Sequence, residues 1–143
     1  MLKVMFLCTG NSCRSQMAEG FARELGRELI EAHSAGLSPS KVNSYAVRGM
    51  KEIGIDISQQ RSKAIDPDLL NQMDIIITLC GHAEAMCPMT PPRVRRIHWP
   101  IDDPVGTIGT EEEILTAFRK TRDEIYEKIQ DLIKTLQERG VSS

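Results

Sequence analysis

Short apolar runs alternate along the chain with segments of helical periodicity, and this alternation limits the possible fold more than any other feature. The run Asp74–Leu79 contains three successive isoleucines, which is typical of a strand covered on both faces. Strands that alternate with helices pack as a parallel sheet flanked by helices. We therefore predict one α/β domain over residues 1–143, with a small four-stranded parallel sheet. The predicted strands are Val4–Leu7, Ile30–Ser34, Asp74–Leu79 and Val94–Trp99.

Local signals mark the helices between these strands. The first helix is expected to end at Gly26, and its apolar residues recur at four-residue spacing, which gives one buried face. A second helix is expected over residues 43–53, with Gly54 as its C-terminal stop. Thr110, followed three residues later by Glu113, is a capping-box pattern and predicts the start of the last helix. The apolar face of the first helix consists of Met17, Phe21 and Leu25.

The composition argues against several classes of protein. A formal net charge of -2 predicts no broad basic surface, which disfavours nucleic acid or an anionic membrane as the main partner. No apolar run approaches the roughly 20 residues needed to span a bilayer, and Val4–Leu7 leads into a polar loop rather than a cleavage site. We therefore expect a cytoplasmic protein. The sequence does not fix the oligomeric state, and a monomer is the default expectation. In a reducing compartment, the 4 cysteines are expected to be buried apolar residues, metal ligands or redox catalysts.

The loop from Cys8 to Ser15 joins the first strand to the first helix and has the pattern of an oxyanion site. Its spacing of cysteine, five residues and arginine is weak evidence alone, because Cys87 and Arg93 have the same spacing. The second stretch, however, contains three prolines, which have no N–H to donate. The first loop contains no proline and lies at the mouth of a helix.

In the first loop, backbone N–H groups and the helix N-terminus are suited to surround a tetrahedral oxyanion. Gly10 allows a tight turn, and the guanidinium of Arg14 can hold two oxygens at once. The same donors stabilise a thiolate at Cys8, which we predict to be the nucleophile. The predicted oxyanion-binding residues are Thr9, Gly10, Asn11, Ser12, Cys13, Arg14 and Ser15.

Cys8–Ser15, followed by Gln16–Glu19, closely resembles the phosphate-binding loop of the low-molecular-weight tyrosine phosphatase fold. More narrowly, the sequence resembles the thioredoxin-coupled arsenate reductases built on that fold. The resemblance extends over nearly the whole chain. Outside the loop, the motifs that carry it are Ser34-Ala35-Gly36, Gly54–Ser58, Thr78-Leu79-Cys80, Cys87-Pro88 and Asp102-Asp103-Pro104.

The resemblance implies the reduction of arsenate to arsenite by a relay of three cysteines. Cys8 attacks arsenate, and Asp103, directly before Pro104, protonates the departing oxygen. Cys80 then attacks Cys8 and releases arsenite, and Cys87 attacks Cys80. Thioredoxin or a thioredoxin-like protein reduces the resulting Cys80–Cys87 disulfide. The resemblance implies no tightly bound cofactor and no catalytic metal ion.

The spacing of Cys80 and Cys87 sets a geometric requirement. If the residues between them form a helix, the two cysteines are separated by a rise of about 10.5 Å. A disulfide requires Cα atoms within about 7 Å of each other. The segment is therefore either not helical or must unwind on oxidation, and Gly81 and Pro88 at its ends favour unwinding.

Three other functions use some of the same residues. A phosphatase for phosphate monoesters shares the nucleophile, the arginine and the acid, and does not need Cys80 or Cys87. Such phosphatases usually carry aromatic residues after the Asp-Pro pair, where this chain has Val105. A zinc site at Cys80, His82, Cys87 and His98 has suitable ligand types but an unusual spacing, and it leaves the first loop unexplained. A non-catalytic oxyanion sensor is disfavoured by the intact nucleophile and acid.

Some relatives of this fold bind a potassium ion near the anion loop. The matching positions here are Asn11, Glu19 and Ser34, but a further position that is acidic in the family aligns with Lys63. An ammonium group at that place would replace the ion and pair with Glu19, whereas a solvated surface lysine is the alternative. We therefore predict that potassium is not required.

Overall fold

The computed structural model describes residues 1–139, and within them four strands form one sheet. All neighbouring strands are parallel. This confirms the predicted α/β class and the four-stranded parallel sheet. The strands are β1 (Leu2–Cys8), β2 (Ile30–Gly36), β3 (Ile75–Thr78) and β4 (Arg95–His98), in the spatial order β2-β1-β3-β4. The helices are α1 (Arg14–Leu25), α2 (Ser44–Lys51), α3 (Pro67–Asn71), α4 (Gly81–Met86) and α5 (Glu111–Glu138).

Strand β1 lies at the centre of the protein because both of its faces are buried. Val4, Phe6 and Cys8 point into the larger core, which α1, α2 and α5 cover. Met5 and Leu7 point into a smaller core on the opposite face, to which α3 and α4 contribute. An apolar run without alternation is therefore explained by a strand that is covered on both sides.

The helix signals predict the helix ends closely. The side chain of Asn43 caps α2 by accepting two backbone N–H groups of its first turn, and Gly54 has the positive φ of +83° that its position after α2 requires. Thr110 and Glu113 form the expected capping box at the start of α5. Within residues 1–139, no helix is long and apolar enough to cross a membrane.

One predicted core residue is wrong. Met17 and Phe21 are fully buried in the larger core, but Leu25 is 41% exposed. Leu25 is the last residue of α1, and the chain turns away at Gly26, where the helix is capped. The four-residue spacing therefore continues beyond the part of the helix that packs on the sheet.

The strand register brings the carboxyl ends of the strands to one edge of the sheet. Cys8 pairs with Gly36 of β2, and Thr78 pairs with His98 of β4. Ligands of parallel sheets bind beyond this edge. The loop after β1, the segment after β3 and the loop after β4 therefore meet in one place.

Candidate active site

The thiol of Cys8 lies at the end of β1 and is almost completely buried. Its Sγ atom lies 2.8 Å from the Oγ atom of Ser15, and that oxygen accepts a hydrogen bond of 2.7 Å from the side-chain amide of Asn11. Since the Ser15 hydroxyl accepts from Asn11, its own proton is available for the Cys8 sulfur. This arrangement suits a sulfur that acts as a thiolate nucleophile.

The backbone of the loop is fixed by contacts with two neighbouring segments. Asn11 adopts the left-handed conformation, with φ 46°, and its carbonyl oxygen accepts hydrogen bonds from Gln16 and Ser62. On the other side, a Cβ atom at Gly36 would lie 2.7 Å from the carbonyl oxygen of Thr9. Only glycine therefore fits where β2 ends against the loop.

Arg14 connects the loop to the ends of β3 and β4. One terminal nitrogen of its guanidinium donates to the carbonyl oxygens of Ile101 (2.8 Å) and Leu79 (3.3 Å). The other lies 3.4 Å from the carboxylate of Asp103, which is 47% exposed. The predicted acid therefore lies at the mouth of the loop. A cavity of about 330 Å³ is lined by Cys8, Thr9, Gly10, Ser12, Cys13, Arg14, Asp103 and Val105.

Cys80 and Cys87 lie at opposite ends of α4, which is helical while both thiols are free. Cys80 is the N-cap residue, and its sulfur accepts a hydrogen bond from the Ala83 N–H and lies 3.4 Å from the Thr9 hydroxyl. The second cysteine is therefore in contact with the loop that carries the first. Partial burial raises the pKa of Cys87, while the charge of Arg96 acts in the opposite direction.

The family model described as low molecular weight phosphotyrosine protein phosphatase matches residues 3–142. The chain belongs to this family. A curated arsenate reductase of Bacillus licheniformis is 54% identical over 132 residues, which cover 92% of this chain and 95% of the relative. The expected resemblance to the arsenate reductases of this fold is confirmed.

Solved structures of arsenate reductases agree with this relationship. An arsenate reductase in a phosphate-binding state is 39% identical, with a TM-score of 0.75, and the match covers 94% of this chain and 98% of that one. A thioredoxin-dependent arsenate reductase of Corynebacterium glutamicum is 26% identical, with a TM-score of 0.66. That match covers 91% of this chain and 62% of that chain.

Cys13 lies inside the phosphatase-type loop, but its thiol is not suited to a redox step. Its side chain is almost completely buried. Burial, followed by the charges of Asp103 and Cys8, raises the pKa of Cys13 far above its usual range. The thiol therefore remains protonated at neutral pH, which makes it a poor nucleophile.

The positions that correspond to the ion site of this phosphatase fold lie together, and a cation from the chain itself is among them. Ser34 donates a hydrogen bond of 2.5 Å to the buried carboxylate of Glu19. The Lys63 ammonium lies 3.6 Å from the same carboxylate oxygen and donates to the Ser34 hydroxyl. Arg23 pairs with the other oxygen of Glu19. Three donors of the chain itself, from Ser34, Lys63 and Arg23, therefore surround the Glu19 carboxylate.

One cluster at this edge of the sheet was not predicted from the sequence. Thr78 donates a hydrogen bond of 2.7 Å to Glu84 on α4 and lies 2.8 Å from Nδ1 of His98. Periodicity assigns Thr78 only to a buried strand, so its hydroxyl gave no signal. Among residues 1–139, no three His, Cys, Asp or Glu side chains are arranged to hold a metal ion.

Proposed function

We propose that this protein reduces arsenate to arsenite by a relay of Cys8, Cys80 and Cys87 that a thioredoxin-like dithiol protein resets. The observation that carries the proposal is the contact between the Cys80 sulfur and the Thr9 hydroxyl, at 3.4 Å. It holds a second thiol against the anion loop, and ester hydrolysis has no use for one. The arsenate reductases among the relatives support the same substrate.

In the first step, arsenate binds in the loop and the Cys8 thiolate attacks arsenic. One oxygen leaves as water after it receives a proton from Asp103, whose carboxyl group lies across the cavity beside Arg14. The loop N–H groups and Arg14 hold the remaining oxygens and their negative charge. The product of this step is a Cys8–arsenic adduct, and arsenic is still As(V).

In the second step, the Cys80 thiolate attacks the Cys8 sulfur. The electron pair of the sulfur–arsenic bond stays on arsenic, which becomes As(III) and leaves as arsenite. A Cys8–Cys80 disulfide remains. The Ala83 N–H and the Thr9 hydroxyl support the attacking sulfur of Cys80 by hydrogen bonding.

In the third step, the Cys87 thiolate attacks the Cys80 sulfur, and Cys8 leaves as a thiolate. The Cys80–Cys87 disulfide spans a segment that ends at the exposed surface, where a second protein has access to it. A thioredoxin-like dithiol then reduces it by thiol–disulfide exchange. The thioredoxin-dependent relative in Corynebacterium glutamicum supports this class of reductant.

We propose that the cation position of this fold is filled by Lys63 and that the enzyme does not require potassium. The ammonium group is within 3.6 Å of the Glu19 carboxylate, which is a distance typical of an ion pair. The backbone N–H of Lys63 also donates to the Asn11 side chain, which links the cation to the loop. A buried carboxylate next to the loop is thereby neutralised without a free ion.

Hydrolysis of phosphate monoesters is a second candidate, as a side activity. The loop, Arg14 and Asp103 suit a phosphoryl group as well as arsenate, because both are tetrahedral oxyanions. The cavity wall beside the acid is formed by Val105 rather than by an aromatic ring. A phenyl ester therefore has no stacking partner there, and we expect slow turnover.

The test is arsenate-dependent consumption of NADPH in the presence of thioredoxin and thioredoxin reductase. Cys8→Ser, Cys80→Ser and Cys87→Ser should each abolish multiple turnover. With arsenate alone, Cys87→Ser should release one arsenite per chain and accumulate a Cys8–Cys80 disulfide, whereas Cys80→Ser should release none. Phenyl phosphate hydrolysis, measured in parallel, should survive in Cys80→Ser and Cys87→Ser and disappear in Cys8→Ser.

The three variants serve as controls for one another, because only Cys8 is shared by the two reactions. Arsenate turnover that persists in Cys80→Ser would contradict the relay. Rapid ester hydrolysis without any arsenate turnover would identify the protein as a phosphatase. For the ion position, equal rates in potassium and tetramethylammonium chloride at one ionic strength are expected.

A further inference from the structure

The redox helix α4 is tethered to the sheet near its middle. Glu84 lies on α4 between the two cysteines, and one of its carboxylate oxygens accepts a hydrogen bond of 2.7 Å from Thr78 at the end of β3. The hydroxyl of Thr78 is fully buried, whereas the side chain of Glu84 is 49% exposed. The contact therefore joins the sheet to α4, the helix that must unwind for a Cys80–Cys87 disulfide to form.

The Glu84 carboxylate fixes the direction of this hydrogen bond, because it can only accept. A hydroxyl has one proton, so when Thr78 donates to Glu84 it can only accept from His98 Nδ1, at 2.8 Å. His98 then carries a proton on Nδ1, and the chain of donors runs from His98 through Thr78 to the carboxylate. Such a chain polarises each of its members in the same sense. The acceptor at its end is Glu84.

The C-terminal end of α4 has a second, weaker tether. The guanidinium of Arg96, also on β4, donates to the carbonyl oxygens of Cys87 (3.5 Å) and Pro88 (3.2 Å). Helix α4 has only 6 residues, and isolated helices shorter than about 12 residues are marginal in water. Its helical state therefore depends on contacts with the sheet.

We propose that Glu84 is a positioning residue for the relay and acts as a latch on α4. The proposal rests on the three-cysteine relay proposed above. The hydrogen bond from Thr78 holds α4 folded while the thiols are reduced. It must open before Cys87 reaches Cys80, because a folded helix keeps their Cα atoms about 10.5 Å apart and a disulfide needs less than about 7 Å.

The latch has a consequence for the return to the reduced state. The Cys80–Cys87 disulfide forms when the Cys87 thiolate attacks Cys80 of the Cys8–Cys80 disulfide and Cys8 leaves as a thiolate, so that Cys87 is oxidised and Cys8 is reduced. The latch opposes this closure and favours the dithiol state. The Cys80–Cys87 disulfide is therefore a better oxidant with the latch than without it, and a thioredoxin-like dithiol reduces it more completely.

The experiment measures the equilibrium of this disulfide against a dithiothreitol redox buffer. A Cys8→Ser/Cys13→Ala background leaves only the Cys80–Cys87 pair to titrate. Glu84→Ala should raise the ratio of disulfide to dithiol about five-fold, which corresponds to about 1 kcal/mol for one hydrogen bond. The reduction potential then becomes about 20 mV more negative. Amide hydrogen exchange over residues 81–87 of the reduced protein should accelerate by a similar factor.

Two matched variants separate the latch from a general effect on the helix. His82 is an exposed residue of the same helix, and His82→Ala also truncates a side chain to alanine. This variant should keep the ratio of disulfide to dithiol within two-fold of the background protein. Alanine has a higher helix propensity than glutamate or histidine. Propensity alone would therefore stabilise α4 and the dithiol state, which is opposite to the shift expected from loss of the latch. Glu84→Gln keeps an acceptor oxygen for Thr78 and should restore most of the wild-type ratio.

Thr78→Val should reproduce the shift, and adding Glu84→Ala to it should cause no further shift, because both remove the same hydrogen bond. Equal ratios in Glu84→Ala and His82→Ala would overturn the latch while leaving the relay intact. A background protein that forms no Cys80–Cys87 disulfide at any buffer ratio would overturn the relay and the latch together.

Discussion

Replacing Arg14 by lysine should separate charge from geometry at the anion loop. In the protein, one guanidinium nitrogen is occupied by the carbonyl oxygens of Ile101 and Leu79, which leaves the rest of the planar group for an anion. A lysine ammonium has three donors on a single nitrogen. Its three N–H donors are too few to bind the two carbonyl oxygens and two oxygens of a bound anion at the same time.

Two magnitudes are expected for Arg14→Lys. The loss of an aligned donor to a charged transition state lowers kcat by about 100-fold to 1,000-fold, or roughly 2.7–4 kcal/mol. The two carbonyl oxygens lose their partners, and at about 1 kcal/mol for each hydrogen bond this destabilises the protein by about 2 kcal/mol. For a chain of this size, that loss lowers the Tm by about 4–8 °C.

Arsenate-dependent NADPH consumption measures the first effect, and thermal unfolding measures the second. Arg48→Lys is the matched control, because Arg48 is half exposed, pairs with Glu111 and does not line the cavity. It should change kcat/KM by less than two-fold. If Arg14→Lys remains folded and keeps kcat/KM within three-fold of the wild type, positive charge alone is sufficient and the geometric requirement is wrong.

Three further predictions concern the ion position, the core and the response to acid. Lys63→Asp should make the rate several-fold higher in potassium than in tetramethylammonium chloride, whereas the wild type shows no difference. Phe118→Ala should lower the free energy of unfolding in urea by about 3–5 kcal/mol, because the ring is 2% exposed and packs against Tyr45. Hydrogen bonds from Arg119 lower the pKa of Glu52 to about 2. The stabilisation by Glu52 is therefore complete above its usual pKa and is lost as the pH falls toward 2. In Glu52→Gln, the free energy of unfolding should therefore fall less steeply with decreasing pH in that range.

Much of the fold could be predicted because its signals are local. The isoleucine run of β3 and the capping box of Thr110 and Glu113 depend only on neighbours in sequence, and both predictions are confirmed. Leu25 was misassigned because burial depends on where α1 passes beyond the sheet, and spacing alone contains no such information. The helical state of α4 could not be decided either, since it depends on contacts of this helix with Thr78 on β3 and Arg96 on β4.

The site shows the same division between local and distant contacts. The residues of the loop are contiguous in sequence, so a motif was sufficient to predict that Cys8, Asn11 and Ser15 lie close together. The neighbours of Arg14 and Thr9 are separated from them by 65 to 87 residues and become visible only when the carboxyl ends of the strands meet. The resemblance to a family supplied Asp103 and Cys80 before any contact was known, but its motif Thr78-Leu79-Cys80 assigned no role to the Thr78 hydroxyl.

The loop itself does not distinguish arsenate from phosphate, so the outcome must depend on the step after the attack by Cys8. A thiophosphate adduct can only be hydrolysed, because phosphorus(V) does not accept the electron pair of the sulfur–phosphorus bond under mild conditions. As(V) accepts it, provided that another thiolate attacks the sulfur. The contact of Cys80 with Thr9 keeps such a thiol beside the loop before any substrate binds. In the proposed relay, selection between the two reactions therefore depends on the central atom of the substrate and on one additional sulfur, rather than on any difference in how the oxyanion is held.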